Sequence, residues 1–181
     1  MFTACALSLG AGTSHARVVE KVRFDDSVAV GGATLPLRNA ALLRYLKFIR
    51  AYVAALYLPE GLPFSAALSD VPKRLELSYL VAIKGGDFGK GAAPVLERNL
   101  GPERLAGLRE RIDRINAAYR DVRPGDRYSL TYEPGRGTEL ALNGTPLMTI
   151  EGADFAEAYF GIWLGREPID EKLKRDLLAG G

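Results

Sequence analysis

The chain carries, from Leu35 to Pro59, the stretch LPLRNAALLRYLKFIRAYVAALYLP, which sets several charges within otherwise apolar sequence. Burying an unpaired charge is costly, so a strand carries one only where it reaches water or meets an anionic partner. The last part, Ala51 to Leu58, is uniformly apolar and predicts a central strand that Pro59 closes. Arg44 is therefore the first candidate for a functional cation.

Composition fits one globular domain. The 181 residues are 48% hydrophobic and 25% charged, which is enough to bury a sizeable core. Lys and Arg number 24 against 22 Asp and Glu, which leaves a formal net charge of +2. No basic block is interleaved with aromatic residues, so we expect no nucleic-acid partner.

The N-terminal segment, residues 1–16, contains no Lys, Arg, Asp or Glu and ends in Ser14-His15-Ala16. This pattern is typical of the remnant of a secretory signal peptide with a cleavage site before Arg17. The prediction is a single domain over residues 17–181 in a periplasmic or secreted protein. The alternative is a flexible N-terminal arm, which the absence of a basic region at its start favours.

Cleavage there would remove Cys5 and His15, the only cysteine and the only histidine. A mature chain without them excludes disulfides, thiol nucleophiles, Ser-His-Asp triads, Cys/His zinc sites and histidine-ligated haem. We therefore expect no metal site and no cofactor. No later apolar run reaches the ~18 residues of a membrane helix, so no integral membrane segment is predicted and the mature protein should be soluble.

Periodicity predicts the first elements. Alternation over residues 18–30 indicates a pair of edge strands, and alternation over residues 73–84 indicates a strand with one packed and one water-facing side. Two helices should follow, the first over residues 87–99 and the second opening at Gly101-Pro102-Glu103.

The C-terminal third should contain three short strands and then two helices. The strands are expected over residues 128–132, 139–142 and 146–150, with Asn143-Gly144 as a hairpin turn between the last two. The helices are expected over residues 153–164 and 169–178. This element order predicts an α+β fold in which helices pack on one face of an antiparallel sheet.

The chain resembles the chalcone isomerase-like family over roughly residues 18–178. The family arginine follows a small-residue turn, here residues 39–44, and the next strand ends in a small-small-Leu-Tyr-Leu run, here residues 54–58. A second likeness is the helix over residues 152–165, followed by Pro168 and Leu173-Lys174. The resemblance implies an open-faced sandwich of sheet and helices.

The resemblance also assigns site residues. Arg44 takes the place of the family arginine, which binds the substrate together with threonine and tyrosine hydroxyls. Tyr52 stands at the strand threonine, Phe88 near the tyrosine and Ala156 at the hydroxyl residue of the late helix. Two of three catalytic hydroxyls are thus missing, and each lost donor typically costs roughly 2.7–4 kcal/mol of transition-state stabilisation.

We therefore predict binding without catalysis, with no catalytic residues. The ligand would be small and apolar or amphipathic and anionic, such as a fatty acid. Arg44, buried in the pocket, would pair with its carboxylate, Tyr52 would donate a second hydrogen bond, and Phe88 would line the wall. One alternative is a chalcone-flavanone isomerase, an intramolecular lyase. Another is a periplasmic structural or interaction protein with a closed pocket.

Each site residue also has a purely structural interpretation. Arg44 could lie on the surface or pair with a buried carboxylate such as Asp154. Tyr52 and Phe88 could be ordinary core aromatics.

Overall fold

Strands dominate the chain, and the computed structural model describes residues 17–46 and 48–179. The predicted signal-peptide remnant, residues 1–16, lies outside the described residues. Seven strands form one antiparallel sheet in sequence order: β3 Ser27–Val30, β4 Ala33–Tyr45, β5 Ile49–Tyr57, β6 Lys73–Tyr79, β7 Arg127–Glu133, β8 Gly137–Leu142 and β9 Thr145–Ile150. A separate two-stranded sheet contains β1 Arg17–Val19 and β2 Val22–Phe24.

Helices cover one face of the large sheet. They are α1 Gly85–Ala118, α2 Ala153–Leu164 and α3 Glu171–Leu177, with a short 3-10 helix at Phe64–Ala66. The α+β class predicted from element order is confirmed, and α2 has the predicted bounds.

The two predicted helices of the middle region lie end to end in α1. Gly101 separates them with φ 72° and ψ 168°, a conformation that is outside the helical region and that glycine adopts without steric cost. Pro102 then starts the second segment, where its missing N–H costs nothing. Leu108, Ile112 and Ile115 of that segment recur at helical spacing and are buried, so they form the face that packs on the core.

The N-terminal region differs from its prediction. Residues 17–24 fold back on themselves as the β1–β2 hairpin, with Glu20 and Lys21 at positive φ in the turn. β3 then pairs with β4 instead of with this segment. The alternation correctly predicted that this region forms strands. Which strands pair with each other depends on contacts between residues far apart in sequence.

The turn predicted before Arg44 is not a turn in the structure, because residues 39–44 lie within strand β4. This strand pairs along its length with β5, and the register shifts between Leu43 and Arg44. Small residues face each other there, for example Ala40 opposite Ala55, and Ala40 and Ala55 belong to the smaller core.

The sheet has a core on each face, and the prediction of a water-facing side for β6 is wrong. The larger core lies between sheet and helices; the smaller one includes Phe24, Val53 and Tyr57 and lies under the N-terminal strands. Glu76 of β6 points to this second side, where its carboxylate pairs with Arg74 at 2.8 Å and Arg127 at 3.0 Å. Two guanidinium groups therefore compensate a carboxylate that is nearly inaccessible to water.

Candidate functional site

A cavity of about 330 Å³ lies between the sheet and the helices α1 and α2 and opens to solvent at one end. Its apolar wall includes Leu43, Ala51, Leu77, Val81, Ala92 and Ile162. Its aromatic wall includes Tyr52, Tyr79, Phe88, Tyr119, Tyr159 and Trp163. The mouth is formed by Tyr45, Ile49, Asp87 and Ile169. An apolar cleft with a few polar groups is the usual form of a small-molecule site.

Strand register places Tyr52 at the centre of this cavity. On β5 it lies directly between Leu43 of β4 and Tyr79 of β6, so the three side chains share the helix-facing side. The indole Nε1 of Trp163 on α2 donates a hydrogen bond of 3.0 Å to the Tyr52 hydroxyl. Two elements far apart in sequence thus fix the orientation of one phenol ring.

Helix α1 brings the next two aromatic residues. Phe88, in its first turn, and Tyr119, directly after its last residue, stack with ring centroids 4.6 Å apart and an interplanar angle of 20°. Phe88 also packs edge-on against Tyr79 at 5.6 Å. The Tyr119 hydroxyl lies 3.1 Å from the hydroxyl of Tyr159 on α2. Four tyrosines from β5, β6, α1 and α2 therefore line one cavity.

Some hydroxyl hydrogens in the cavity are not used in hydrogen bonds within the described residues. Tyr52 accepts from Trp163, and its own hydroxyl hydrogen finds no acceptor among the described residues. In the Tyr119–Tyr159 pair one hydroxyl donates to the other, which leaves one hydrogen over. In the described part of the chain the Tyr79 hydroxyl makes no hydrogen bond, although the residue is only 2% exposed.

Among the described residues, two side-chain oxygen atoms are both inaccessible to solvent and without a hydrogen-bond partner: Asn116 Oδ1 and Thr138 Oγ1. The Tyr79 hydroxyl oxygen also has no partner, but it is not one of these inaccessible atoms. It therefore faces open space, and that space is the cavity that Tyr79 lines. With one hydrogen each from Tyr52 and Tyr79 and one from the Tyr119–Tyr159 pair, three hydroxyl hydrogens are available to an acceptor in the cavity.

These hydroxyls stay protonated at neutral pH. Burial raises the pKa of Tyr52, Tyr79, Tyr119 and Tyr159 above the ordinary value of 10.0, because a phenolate is poorly solvated there. Neighbouring hydroxyls add to this effect, since the pKa of Tyr79 is further raised by Tyr119 and Tyr52. The cluster therefore offers neutral O–H donors and no base.

The prediction of a buried arginine is wrong. The Arg44 side chain is 48% exposed, its guanidinium lies 3.6 Å from the Glu20 carboxylate, and it does not line the cavity. Its chain neighbours Leu43 and Tyr45 do line the cavity, and side chains alternate along a strand, so Arg44 points to the opposite face. The surface interpretation of Arg44 fits the structure, and its partner is Glu20; Asp154 pairs with Arg111 instead.

The other two predicted site residues do line the cavity. Tyr52 is buried and Phe88 is half-buried, and both contribute to the aromatic wall. Their role in binding stays a prediction. Among the described residues that line the cavity none is Lys or Arg, and the charged one is Asp87, whose carboxylate pairs with Lys90 at 2.8 Å near the mouth.

Sequence reasoning missed most of the hydroxyl cluster. Tyr79 lies in the predicted strand over residues 73–84, and Tyr159 and Trp163 lie in the predicted helix over residues 153–164. Periodicity shows that such residues face the interior, but not that the interior is incompletely filled. The available signal was the choice of tyrosine, whose hydroxyl needs a partner when buried, where leucine or phenylalanine would pack.

The sheet, its one-sided helical cover and the cavity between them define an α+β protein of the open-faced sandwich class. The chain belongs to the chalcone isomerase-like family, whose profile matches residues 16–179. It is similar to the crystal structure of a fatty-acid binding protein from Arabidopsis thaliana, with a TM-score of 0.67 and 17% sequence identity. That alignment covers 91% of this chain and 96% of the plant protein, and at this identity it shows a shared fold.

Comparison with the curated proteins found no match. Within residues 17–46 and 48–179, no helix has both the length and the apolar character needed to cross a membrane. In the same residues no group of three or more histidine, cysteine or acidic side chains is placed to hold a metal ion.

Proposed function

We propose that this protein binds, without catalysis, one small apolar ligand that carries a carbonyl or carboxyl oxygen. A fatty acid is the leading candidate. The ligand's oxygen lies among the hydroxyls of Tyr52, Tyr79, Tyr119 and Tyr159, and its hydrocarbon part extends past Phe88 towards the mouth at Tyr45, Ile49 and Ile169.

The observation that carries this proposal is the surplus of hydroxyl donors in an apolar cavity. A buried hydroxyl without an acceptor costs free energy, so a ligand oxygen that accepts from it gains affinity from both the contact and the removal of that cost. Tyr79, with no acceptor in the described chain, is the clearest such group. Its unused O–H favours a ligand that brings an acceptor oxygen.

Cavity size supports a ligand of moderate length. A volume of about 330 Å³ lies at the lower end of the range of roughly 300–1,000 Å³ typical of small-molecule sites. The walls are aliphatic and aromatic side chains from sheet and helices, which suits a hydrocarbon chain. The plant protein that shares this fold is described as a fatty-acid binding protein, which supports the same ligand class.

Charge argues for hydroxyl recognition in place of an ion pair. With Arg44 on the other face of the sheet, no guanidinium among the described residues that line the cavity could neutralise a ligand carboxylate. Several O–H donors stabilise a carboxyl oxygen in either protonation state, although an ionised carboxylate there loses more hydration. The same features argue against isomerase chemistry, since the raised pKa of Tyr52, Tyr79, Tyr119 and Tyr159 leaves none of these four as a base at neutral pH.

The test is ligand extraction and titration with wild type and Tyr79→Phe. Protein purified from its source is denatured, and the extract is analysed by mass spectrometry for fatty acids and other apolar carbonyl compounds. Delipidated protein is then titrated with fatty acids of increasing length. Trp163, the only tryptophan, lines the cavity and reports occupancy by its fluorescence.

We expect Tyr79→Phe to weaken binding about five- to thirtyfold, the cost of leaving a ligand oxygen unpaired. Tyr57→Phe is the matched control, since Tyr57 is equally buried but lies in the smaller core and donates to the Asp25 carbonyl. Protein that copurifies empty and takes up no fatty acid would overturn the proposal. Cyclisation of added chalcone would support the alternative function, a chalcone-flavanone isomerase.

We also propose export to the periplasm or the medium. The proposal rests on the uncharged segment before Arg17 and its Ser14-His15-Ala16 ending. N-terminal sequencing of protein from fractionated cells tests it, with Arg17 as the expected first residue in the exported fraction. Full-length protein confined to the cytoplasm would contradict it.

A further inference from the structure

Exposed apolar side chains gather around the cavity mouth. The described chain has six large hydrophobic residues with exposed side chains, and five of them lie here: Tyr45, Leu46, Phe48, Ile49 and Ile169. Four belong to the β4–β5 hairpin tip, and the fifth precedes α3. Phe48 is the most exposed of them at 77%. We call these five residues the mouth patch.

The mouth patch is continuous with the cavity. Tyr45 and Ile49 face each other across the β4–β5 ladder, and both line the opening, as does Ile169. Single exposed hydrophobic residues are common on protein surfaces and need no explanation. A contiguous exposed cluster at the entrance of a cavity instead indicates an interaction surface. Its occupant would therefore sit directly over the ligand's entry route.

Two arginines lie next to the apolar residues of the hairpin tip. Arg44 and Arg50 face each other across the ladder, adjacent to the Tyr45–Ile49 pair. Both guanidiniums approach the same carboxylate, that of Glu20, at 3.6 and 2.7 Å. One carboxylate cannot neutralise two guanidiniums, so a net positive charge remains on side chains that are 48% and 58% exposed.

The order of these groups along the hairpin matches the layers of a lipid interface. Phe48 and Arg50 are two residues apart, or about 7 Å along a strand. Interfacial segments bury apolar side chains about 5–10 Å into the headgroup and acyl boundary while their cations stay at the phosphates. Tyrosine, here Tyr45, is enriched at the boundary between the two layers.

We propose that the mouth patch docks this protein on a bilayer that contains anionic lipids. Leu46 and Phe48 enter the acyl boundary, and Arg44 and Arg50 meet lipid phosphates. The cavity mouth then faces the membrane, so an apolar ligand passes between bilayer and cavity without crossing water. Docking itself does not depend on the ligand, but its use for ligand transfer rests on the proposed function.

Vesicle flotation of the full chain tests the docking. Vesicles of phosphatidylcholine alone are compared with vesicles that also contain phosphatidylglycerol. Wild type should float with the anionic vesicles and detach as salt is raised. The double variant Leu46→Ser/Phe48→Ser should lose binding about tenfold or more, and Arg44→Gln/Arg50→Gln should lose the preference for anionic lipid. Val18→Ser, at the exposed hydrophobic residue outside the patch, should bind as wild type does.

A Phe48→Trp variant measures how deeply the side chain at position 48 enters the bilayer. Its added fluorescence should shift to shorter wavelength on vesicles and be quenched by bromine-labelled acyl chains. Equal flotation of wild type and Leu46→Ser/Phe48→Ser would overturn the proposal. So would concentration-dependent dimerisation that this variant abolishes without any vesicle binding, which would assign the patch to a second copy.

Two sets of variants keep this test separate from that of the proposed function. Leu46 and Phe48 do not line the cavity, so their double variant should still bind ligand in solution. A variant that fills the cavity, Ala92→Leu, should still float with vesicles. Loss of vesicle binding with intact ligand uptake, or the reverse, identifies which proposal fails.

Discussion

Trp163 donates its indole N–H to the hydroxyl of Tyr52 across 3.0 Å, which joins α2 to the centre of the sheet inside the cavity wall. Both residues are buried, and each is the other's hydrogen-bond partner within the described chain. The bond uses an acceptor lone pair of Tyr52 and leaves its O–H free for a ligand. Structural support and ligand recognition thus share one hydroxyl.

Tyr52→Phe should lower the free energy of unfolding of ligand-free protein by about 1–3 kcal/mol, because the Trp163 N–H loses its acceptor in a buried site. Tyr79→Phe should leave it unchanged or raise it, since the Tyr79 hydroxyl has no acceptor in the described chain. Urea unfolding of delipidated samples measures both. Equal losses in the two variants would contradict the different hydrogen-bond states assigned to these tyrosines.

Ala92→Leu should block ligand binding without unfolding the protein. Ala92 is buried on α1 and lines the cavity, so a larger apolar side chain occupies ligand space. Fluorescence titration should show affinity reduced about tenfold or more, because the site loses volume that the ligand needs. Ala93→Leu is the control, since its position is exposed and lies outside the cavity wall. Unchanged affinity in Ala92→Leu would place the ligand elsewhere.

Arg44→Ala should change fatty-acid affinity in solution by no more than about twofold, since a half-exposed ion pair contributes little and the residue does not line the cavity. The titration used for the tyrosine variants measures it. A loss of tenfold or more would mean that Arg44 turns inward when ligand binds.

Lys73 should make stability rise with pH in alkaline solution. Its side chain is inaccessible to water, its Nζ donates to the Ser69 carbonyl at 2.6 Å, and it lies 4.7 Å from the centre of the Tyr132 ring. Burial lowers its pKa from 10.5 to about 8. Between these values the unfolded chain holds more protons, so the free energy of unfolding increases with pH.

Lys73→Met removes that slope. The full shift corresponds to roughly 3 kcal/mol, a cost that wild type carries below pH 8 and loses as pH approaches 10.5. Unfolding curves at several pH values give the free energy of unfolding of each protein. The value for wild type should rise relative to that for Lys73→Met as the pH increases over this interval. Tyrosine ionisation, common to both proteins, cancels in the difference. Parallel curves would contradict a charged lysine in this site.

Glu76→Gln should destabilise the fold by roughly 2–4 kcal/mol, because it leaves Arg74 and Arg127 facing each other without the carboxylate between them. Glu157→Gln, which breaks the exposed pair with Arg104, should cost less than about 1 kcal/mol. Thermal and urea unfolding measure both. Similar small effects would show that the second core does not depend on this network.

Much of the fold could be predicted from local pattern. Period-two alternation placed β6, Asn143-Gly144 placed the turn between β8 and β9, and helical spacing gave the bounds of α2. Such elements depend on residues near in sequence, so their signals survive without tertiary information. The pairing of residues 18–30 and the buried second face of β6 could not be predicted this way, because both depend on which distant segment covers which face.

The sequence by itself determined the α+β class, the order of elements and the two aromatic residues, Tyr52 and Phe88, that share a cavity wall. Only the tertiary structure decided what that cavity offers. The alternation of side chains along β4 sends Arg44 to the opposite face of the sheet, where Glu20 meets it. The fold then brings together hydroxyls from four separate elements, and convergence of residues so far apart in sequence is a property of packing that no local pattern encodes.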